Sequence, residues 1–296
     1  MRRRWSILTT VFAVMLLAVL SFDAGTVVRA SPEYLDLRQY PVVPAITGSV
    51  AARARYLVRL GRRYGNRTHV FSKIGDSITD WQAFLVPVGT GGLRLGNHGE
   101  LQDVVNWFTP TMARTHNSFA NVSLAARGHW TARTLIEPDT VNPGVCRGKS
   151  PVVCELTVVR PAVALIMIGT NDLADGNVNA FRANLDRVVT TTERYGVIPV
   201  VSTIPYRRDN PEVLSRVDAY NEAIIRVALA HNAPIWNYWL AMADLPGNGV
   251  SNDNVHPSLP PDQNTAVFDD MHLQYGFTMR NLTALQVLNS LLPVLR

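Results

Sequence analysis

The chain has 296 residues, of which 47% are hydrophobic and 17% are charged, so it holds enough apolar material for one sizeable core. Its net charge is +5, from 28 Lys and Arg against 23 Asp and Glu. Residues 1–30 contain four Arg and one Asp, which leaves 24 basic against 22 acidic side chains, a net +2, in residues 31–296. Such a weak excess of positive charge argues against a nucleic-acid-binding protein.

Residues 1–30 have the pattern of a secretory signal peptide. Three arginines precede an apolar run from Trp5 to Phe22, and Ala30 closes a Val-Arg-Ala tripeptide of the kind that signal peptidase cleaves. We therefore expect cleavage after Ala30 and a single secreted or otherwise extracytoplasmic domain over residues 31–296. The apolar run is just long enough to span a bilayer, so an uncleaved membrane anchor is the alternative.

From residue 47 onward, helical and strand patterns alternate, which predicts βαβ units and one doubly wound parallel sheet. The run from Pro161 to Ile168 is continuously apolar, as is typical of a strand buried on both faces. Sites in such folds lie at the carboxyl ends of the strands. In chain order the predicted elements are a helix over 47–65, a strand over 69–74, a short helix over 101–108, strands over 119–122 and 161–168, a helix over 179–195, a strand over 197–204, a helix over 211–231, a strand over 235–239 and a helix over 274–292.

The connection from Trp81 to Asn117 is long for a link between a strand and a helix. It contains five glycines together with Trp81, Trp107 and Phe108. This composition fits a lid or a pocket wall, and it fits an ordinary surface excursion equally well.

Polar residues that can do chemistry follow two of the predicted strands. Gly75, Asp76 and Ser77 form a strand-to-helix turn, where a serine can present its hydroxyl at the edge of the sheet. Asn171 follows the most buried strand, and its amide can donate a hydrogen bond to a developing oxyanion. The alternative for both segments is a turn that caps the next helix, and we interpret Asp172 in that structural way.

Two Asp-x-x-His motifs occur near the C-terminal end of the chain. Asp253 and His256 form the first, and Asp269 and His272 form the second. The three-residue spacing lets one tight loop place a carboxylate against imidazole Nδ1, so that Nε2 is free to take a proton from a serine. Many such pairs lie on protein surfaces without any catalytic role, and the spacing alone does not choose between the two.

These clusters, in this order and on these elements, resemble the SGNH (GDSL-type) hydrolase superfamily over roughly residues 68–292. The resemblance implies an α/β fold, a flavodoxin-like three-layer α/β/α sandwich with a central parallel sheet. It also implies that Ser77 is the nucleophile and an oxyanion donor through its own N–H, and that Asn171 is a second donor. His256 would be the general base and Asp253 its orienting partner. The Gly-Asp-Ser setting disfavours the Gly-x-Ser-x-Gly elbow of α/β-hydrolases.

The resemblance also favours His256 over His272 as the base. Pro257 fits the loop that follows the family's histidine, whereas His272 leads into the predicted last helix. A histidine just before that helix is nevertheless common in the family, so His272 and Asp269 stay as the alternative pair.

The family's second block departs from its usual pattern here. That block normally supplies a glycine N–H to the oxyanion hole, and counting back from Thr131 and Leu135 places His129 in the glycine's position. The donor therefore lies within residues 127–130. We favour Gly128, because the backbone must approach the oxyanion closely.

Cys146 and Cys154 are the only cysteines in the sequence, and they lie in a stretch that contains Pro and Gly. In an oxidising compartment we expect them to form one disulfide that pins a loop. Two thiols at this spacing have no partners in a zinc-binding pattern.

The sequence thus predicts an extracellular serine esterase that hydrolyses O-acyl esters through an acyl-enzyme, without a metal or cofactor. The expected substrate is a small-molecule or polysaccharide ester, such as a short-chain acyl ester or an O-acetylated carbohydrate. We expect contact with a membrane only through the signal segment, if it is not cleaved. The alternatives are a lipase or phospholipase of the same fold and an inactive binding module that has kept the fold.

Overall fold

The computed structural model describes residues 35–138 and 144–296, and the expected signal segment lies outside them. Within the described residues, four strands form one sheet in the order β1-β2-β3-β4, and every neighbouring pair is parallel. This arrangement confirms the predicted α/β class with a parallel sheet. The strands are β1 (Arg67–Gly75), β2 (Pro161–Met167), β3 (Ile198–Ser202) and β4 (Ile235–Trp236).

The α-helices of the described residues range in length from 4 to 21 residues. None of those in 35–138 and 144–296 is long and apolar enough to cross a membrane. They are α1 (Gly48–Arg63), α2 (Ser77–Asp80), α3 (Val86–Gly89), α4 (Gln102–Phe108), α5 (Pro151–Val159), α6 (Val178–Arg194), α7 (Pro211–His231), α8 (Tyr238–Met242) and α9 (Gly276–Leu295).

Helices cover both faces of the sheet, which gives three layers. Helices α5, α6 and α7 connect successive strands, and α6 contacts both of the others. Because crossovers between parallel strands are right-handed, three crossovers in one direction along a sheet lie on the same face. On the other face, α9 contacts α1 and α4, and both of these helices contact β1. Strand β2 is buried along its whole length, as a central strand between two helical layers must be.

The strand predicted over 119–122 is absent, because this segment forms a turn. The backbone N–H groups of Ala120 and Asn121 donate to the Asn117 carbonyl instead of to a neighbouring strand. Asn117 is a residue type that favours turns, and the apolar character of the segment reflects burial of Phe119 in the core. Slightly later, Ala126 forms a single parallel bridge to Gly75 at the edge of β1.

Strand β4 and helix α5 differ from the sequence prediction for local reasons. Strand β4 ends at Trp236 rather than at 239, because the Asn237 side chain accepts a hydrogen bond from Leu240 N–H and caps α8. Helix α5 has no counterpart among the predicted elements. It begins at Pro151 after the N-cap Ser150, a pairing typical of a helix start.

A disulfide joins Cys146 to Cys154 with a Cα–Cα distance of 5.2 Å, as expected. Both cysteines are buried and pack against Leu124. Nearby, the buried Glu155 of α5 accepts hydrogen bonds from the Ser72 hydroxyl and from Leu124 N–H, each at 2.7 Å. Helix α5 therefore ties β1 to the segment that begins at Leu124.

Candidate active site

Ser77 lies at the first position of α2, directly after β1. Asp76 caps the helix, since its Oδ1 accepts a hydrogen bond of 3.0 Å from Ile78 N–H. A side chain at Gly75 would collide with the Met167 carbonyl, because a Cβ built there lies 2.2 Å from that oxygen. The close approach of β1 and β2 therefore requires glycine, and it leaves the partly exposed Ser77 at the carboxyl edge of the sheet.

The structure brings Ser77 together with the first Asp-x-x-His motif. His256 Nε2 lies 2.9 Å from Ser77 Oγ, and His256 Nδ1 lies 2.7 Å from Asp253 Oδ2. Because a carboxylate only accepts hydrogen bonds, Nδ1 carries the proton in the neutral imidazole and Nε2 is the acceptor for the Ser77 hydroxyl. This is the geometry that a nucleophile, a base and an orienting carboxylate require.

The loop that carries His256 holds the Asp253 carboxylate in place. Asp253 Oδ1 accepts hydrogen bonds from the Ser251 hydroxyl at 2.7 Å and from the N–H groups of Val255 and His256 at 2.9 Å each. Asn254, at the tip, has a left-handed backbone with φ of 61°, which Asn tolerates better than most residues. The turn thus fixes the carboxylate before any substrate arrives.

These hydrogen bonds set the charge state of Asp253. Partial burial raises the pKa of the carboxyl group, but the N–H groups of His256 and Val255 and the Ser251 hydroxyl outweigh this effect. The net result is an Asp253 pKa far below its usual value. The carboxylate is therefore ionised at neutral pH and can stabilise an imidazolium at His256.

The second Asp-x-x-His motif has a different setting. His272 Nδ1 lies 2.7 Å from Asp269 Oδ1, and its Nε2 lies 3.2 Å from Asp262 Oδ2. Burial lowers the pKa of His272, but hydrogen bonds to the two carboxylates outweigh it and leave this pKa above its ordinary value. With a carboxylate at each ring nitrogen, His272 has no free nitrogen to offer a serine.

A buried arginine that sequence analysis missed anchors α2, the helix that begins at Ser77. Arg280 of α9 is 1% exposed, and its guanidinium donates to the Ile78 carbonyl and to Thr79 Oγ1. The group also lies 3.7 Å from the centroid of the Phe84 ring. The sequence does contain a hint of this role, because Arg280 is the only charged residue within α9. Its role depends on a contact with residues about 200 positions earlier, which no local pattern predicts.

Burial also affects Asp76, the residue before Ser77. Desolvation raises the pKa of its carboxyl group to about 6, although the hydrogen bond from Ile78 and the positive charge of Arg280 act in the opposite direction. Asp172, at the end of β2, is similar, since burial raises its pKa to about 7. Its carboxylate accepts a hydrogen bond from Ala132 N–H at 3.1 Å. Asp172 therefore has a structural contact, as expected, but the contact is with Ala132 and is not a cap on the next helix.

The predicted oxyanion donors lie on two neighbouring segments. Asn171 follows β2, and its Nδ2 donates one hydrogen bond of 3.0 Å to the Trp130 carbonyl. An amide nitrogen carries a second N–H. A Cβ built on Gly128 would lie 4.0 Å from Ser77 Cβ, so Gly128 is close to Ser77. His129, which occupies the family's glycine position, has a left-handed φ of 64°, a conformation that favours glycine.

Trp81 forms the wall of the site next to His256. The two rings meet edge to face with centroids 5.1 Å apart, and the indole packs in the same way on Phe277. Trp81 is 40% exposed. The segment from Trp81 to Gly92 is therefore a pocket wall, one of the two functional possibilities that its composition suggested.

Another cavity, of about 630 Å³, lies away from Ser77. Its lining includes Asn66, Arg160 and Tyr195. Asn66 directly precedes β1, Arg160 directly precedes β2, and Tyr195 lies shortly before β3. Since sites in this fold class lie at the carboxyl ends of the strands, this cavity is not the candidate active site. Within 35–138 and 144–296, no cluster of three or more His, Cys, Asp or Glu could hold a metal ion.

Several solved structures are similar to this chain at low sequence identity. The lipase/acylhydrolase from Enterococcus faecalis is 21% identical, with 73% of this chain and 92% of that chain covered and a TM-score of 0.46. The acetylxylan esterase Axe2 from Geobacillus stearothermophilus is 17% identical, with 74% and 93% covered and a TM-score of 0.46. The esterase EstA from Pseudoalteromonas sp. is 17% identical, with 64% and 87% covered and a TM-score of 0.41.

No curated protein sequence matches the chain. The sequence profile of the GDSL-like Lipase/Acylhydrolase family matches residues 74–259, which is more than half of the chain. The matched range includes Ser77, Asn171, Asp253 and His256, and it ends before His272. The chain belongs to the GDSL-like lipase/acylhydrolase family of ester hydrolases.

Proposed function

We propose that the protein is an exported serine esterase that hydrolyses O-acyl esters through an acyl-enzyme on Ser77. The observation that carries this proposal is the hydrogen-bonded series from Ser77 through His256 to Asp253, with distances of 2.9 Å and 2.7 Å. Each atom in the series has the donor or acceptor role that nucleophilic catalysis needs.

In the first half of the reaction, Ser77 Oγ forms a bond to the acyl carbon of the ester while its proton passes to His256 Nε2. The negative charge of Asp253 stabilises the imidazolium that results. As the tetrahedral intermediate collapses, the bond to the alcohol oxygen breaks and that oxygen takes the proton from Nε2. The alcohol leaves, and the acyl group remains on Ser77.

In the second half, water replaces the alcohol. His256 Nε2 takes a proton from the water as its oxygen attacks the acyl-enzyme, and then returns the proton to Ser77 Oγ as the carboxylic acid departs. The backbone N–H groups of Ser77 and Gly128 and the second N–H of Asn171 are the donors proposed for the oxyanion. One such donor typically contributes about 3 kcal/mol to transition-state stabilisation.

The finer parts of the proposal concern substrate and location. We expect the substrate to be a small-molecule or carbohydrate ester with a short acyl group. We expect the protein to be released outside the cytoplasm after cleavage of residues 1–30. The disulfide between Cys146 and Cys154 is compatible with an oxidising compartment. The signal-like pattern of residues 1–30 supports the same location.

Replacing the nucleophile tests the activity directly. Ser77→Ala should fold normally but lose at least about 10³-fold in kcat on p-nitrophenyl acetate, because it removes the hydroxyl that is proposed to form the acyl-enzyme. The matched control is Ser215→Ala, which removes an exposed hydroxyl from α7. Retention of activity by Ser77→Ala would contradict the proposed nucleophile.

A further inference from the structure

A groove of about 590 Å³ begins at Trp81, the residue whose ring packs against the His256 imidazole. One wall comes from residues 81–92 and the other from residues 259–264. The polar side chains that line it are those of Gln82, Thr90, Asp262, Gln263 and Asn264. Because Trp81 both lines the groove and packs against His256, the groove lies next to the proposed base, where one part of a substrate attacked by Ser77 could extend.

The two walls are joined to each other and to the core, so the groove exists before a ligand binds. The buried Asn281 of α9 donates to the carbonyls of Ala83 and Thr265 at 2.9 Å and 3.0 Å, and its Oδ1 accepts from Leu85 N–H at 2.9 Å. The Thr265 hydroxyl also donates to the Ala83 carbonyl at 2.7 Å. A groove held in this way binds its ligand with little loss of conformational entropy.

The second Asp-x-x-His motif fixes the carboxylate of the groove. Asp262 Oδ2 lies 3.2 Å from His272 Nε2, and Asp269 holds the opposite nitrogen of the same ring. Asp262 Oδ1 accepts a hydrogen bond of 3.0 Å from Asn264 N–H. The Asp262 side chain is nevertheless 56% exposed, so it keeps room to accept further hydrogen bonds.

The chemistry of the lining favours a neutral polyhydroxylated ligand. A sugar ring has an apolar C–H face, which suits the exposed indole of Trp81, and a rim of hydroxyls, which suits the carboxylate of Asp262 and the amides of Gln263 and Asn264. Among the described residues that line the groove, none is Lys or Arg. An anionic head group would be repelled by the Asp262 carboxylate, and no Lys or Arg on the described lining would offset that repulsion.

We propose that this groove binds the alcohol part of the ester and that this part is a neutral carbohydrate. A sugar ring stacks on Trp81, and its hydroxyls donate to Asp262 and bond to Gln263 and Asn264. His272 and Asp269 act as positioning residues for Asp262. The inference rests on the proposed function, because it places the sugar beside the acyl group that Ser77 attacks.

Binding to the inactive Ser77→Ala protein tests the groove without any turnover. We would titrate xylotetraose, cellotetraose and tetra-N-acetylchitotetraose, and follow binding by calorimetry and indole fluorescence. At least one of them should bind. Adding Asp262→Asn should weaken that binding about tenfold, because the ligand loses a hydrogen bond to a charged group. The matched control is Asp270→Asn, which removes the same charge from an exposed residue outside the groove and should leave the affinity unchanged.

Two results would overturn the assignment: no binding of any of the three oligosaccharides, or equal affinities for the Asp262→Asn and Asp270→Asn proteins. Neither depends on hydrolysis, so the outcome is separate from that of the esterase assay. Carbohydrate binding that requires Asp262, together with a wild-type protein that has no esterase activity, would contradict the proposed function and leave the groove assignment intact. Esterase activity without carbohydrate binding would contradict the groove assignment and leave the proposed function intact.

Discussion

Ser77 and His256 are 179 residues apart in the sequence and 2.9 Å apart in the structure. By contrast, Asp253 and His256 are only three positions apart. The turn that joins them supplies two backbone N–H groups to the Asp253 carboxylate. The Asp253–His256 pair is therefore a local structure, whereas its contact with Ser77 depends on how the whole chain folds. A local motif can exist without that contact, as Asp269 and His272 demonstrate.

The two histidines should differ sharply in their effect on catalysis. His256→Ala should lower kcat on p-nitrophenyl acetate by at least about 10³-fold, and adding Ser77→Ala should reduce it little further, because the two groups act as one unit. Asp253→Ala should cost less, since this residue orients the imidazole and transfers no proton.

The comparison for His256→Ala is His272→Gln, which replaces the histidine of the second Asp-x-x-His motif. Its effect should fall on carbohydrate affinity or on stability and should be far smaller in kcat. Steady-state kinetics on the folded variants gives the ranking. An active His256→Ala protein beside an inactive His272→Gln protein would transfer the proposed role of base to His272.

Ser77, Asp253 and His256 could be named from the sequence because each lies in a short motif that resembles one of the SGNH superfamily, and the structure brings the three side chains together. Arg280 could not be named in this way, because its guanidinium bonds to α2 from a helix about 200 residues later. Ser251 was also missed, although it lies only two residues from Asp253. A serine in a polar turn is too common to single out without the hydrogen bond itself.

At the scale of elements, the order of the sheet positions the site. Strands β1 and β2 are neighbours, so the residues that follow them, Ser77 and Asn171, meet at one edge. The strand patterns were predictable from buried apolar runs such as Pro161–Met167. The order of the strands was not, because it depends on contacts between whole elements. The false strand at 119–122 arose because a buried turn and a short strand have the same apolar composition.

The disulfide should stabilise the loop that precedes α5 and, through Glu155, the segment that carries Gly128. Replacing both Cys146 and Cys154 by Ala should lower the free energy of unfolding by about 2–3 kcal/mol, as expected for a loop of this length. Urea denaturation measures this loss. The wild-type protein with its disulfide reduced is the control, and it should show a comparable loss. An unchanged free energy of unfolding would exclude a stabilising role for the bond.

At the scale of the whole molecule, the proposed location depends on residues 1–30. The full-length chain, expressed in a secreting host, should be recovered from the medium with Ser31 as its N-terminus and with Cys146 bonded to Cys154. Ala30→Arg should block cleavage, because signal peptidase requires a small residue there, and should leave the chain attached to the membrane. N-terminal sequencing and fractionation measure both outcomes. Full-length protein with free thiols in the cytoplasm would contradict export.

A fluorophosphonate phosphonylates an activated serine. The mass of the protein after this reaction therefore tests directly whether Ser77 is the nucleophile. We expect one adduct per molecule, on the peptide that contains Ser77, and a large loss of labelling rate in His256→Ala, whose serine lacks its proposed base. The Ser77→Ala protein should remain unlabelled. An adduct on a different residue, or equal labelling of the wild-type and Ser77→Ala proteins, would contradict the claim that Ser77 is the nucleophile of this esterase.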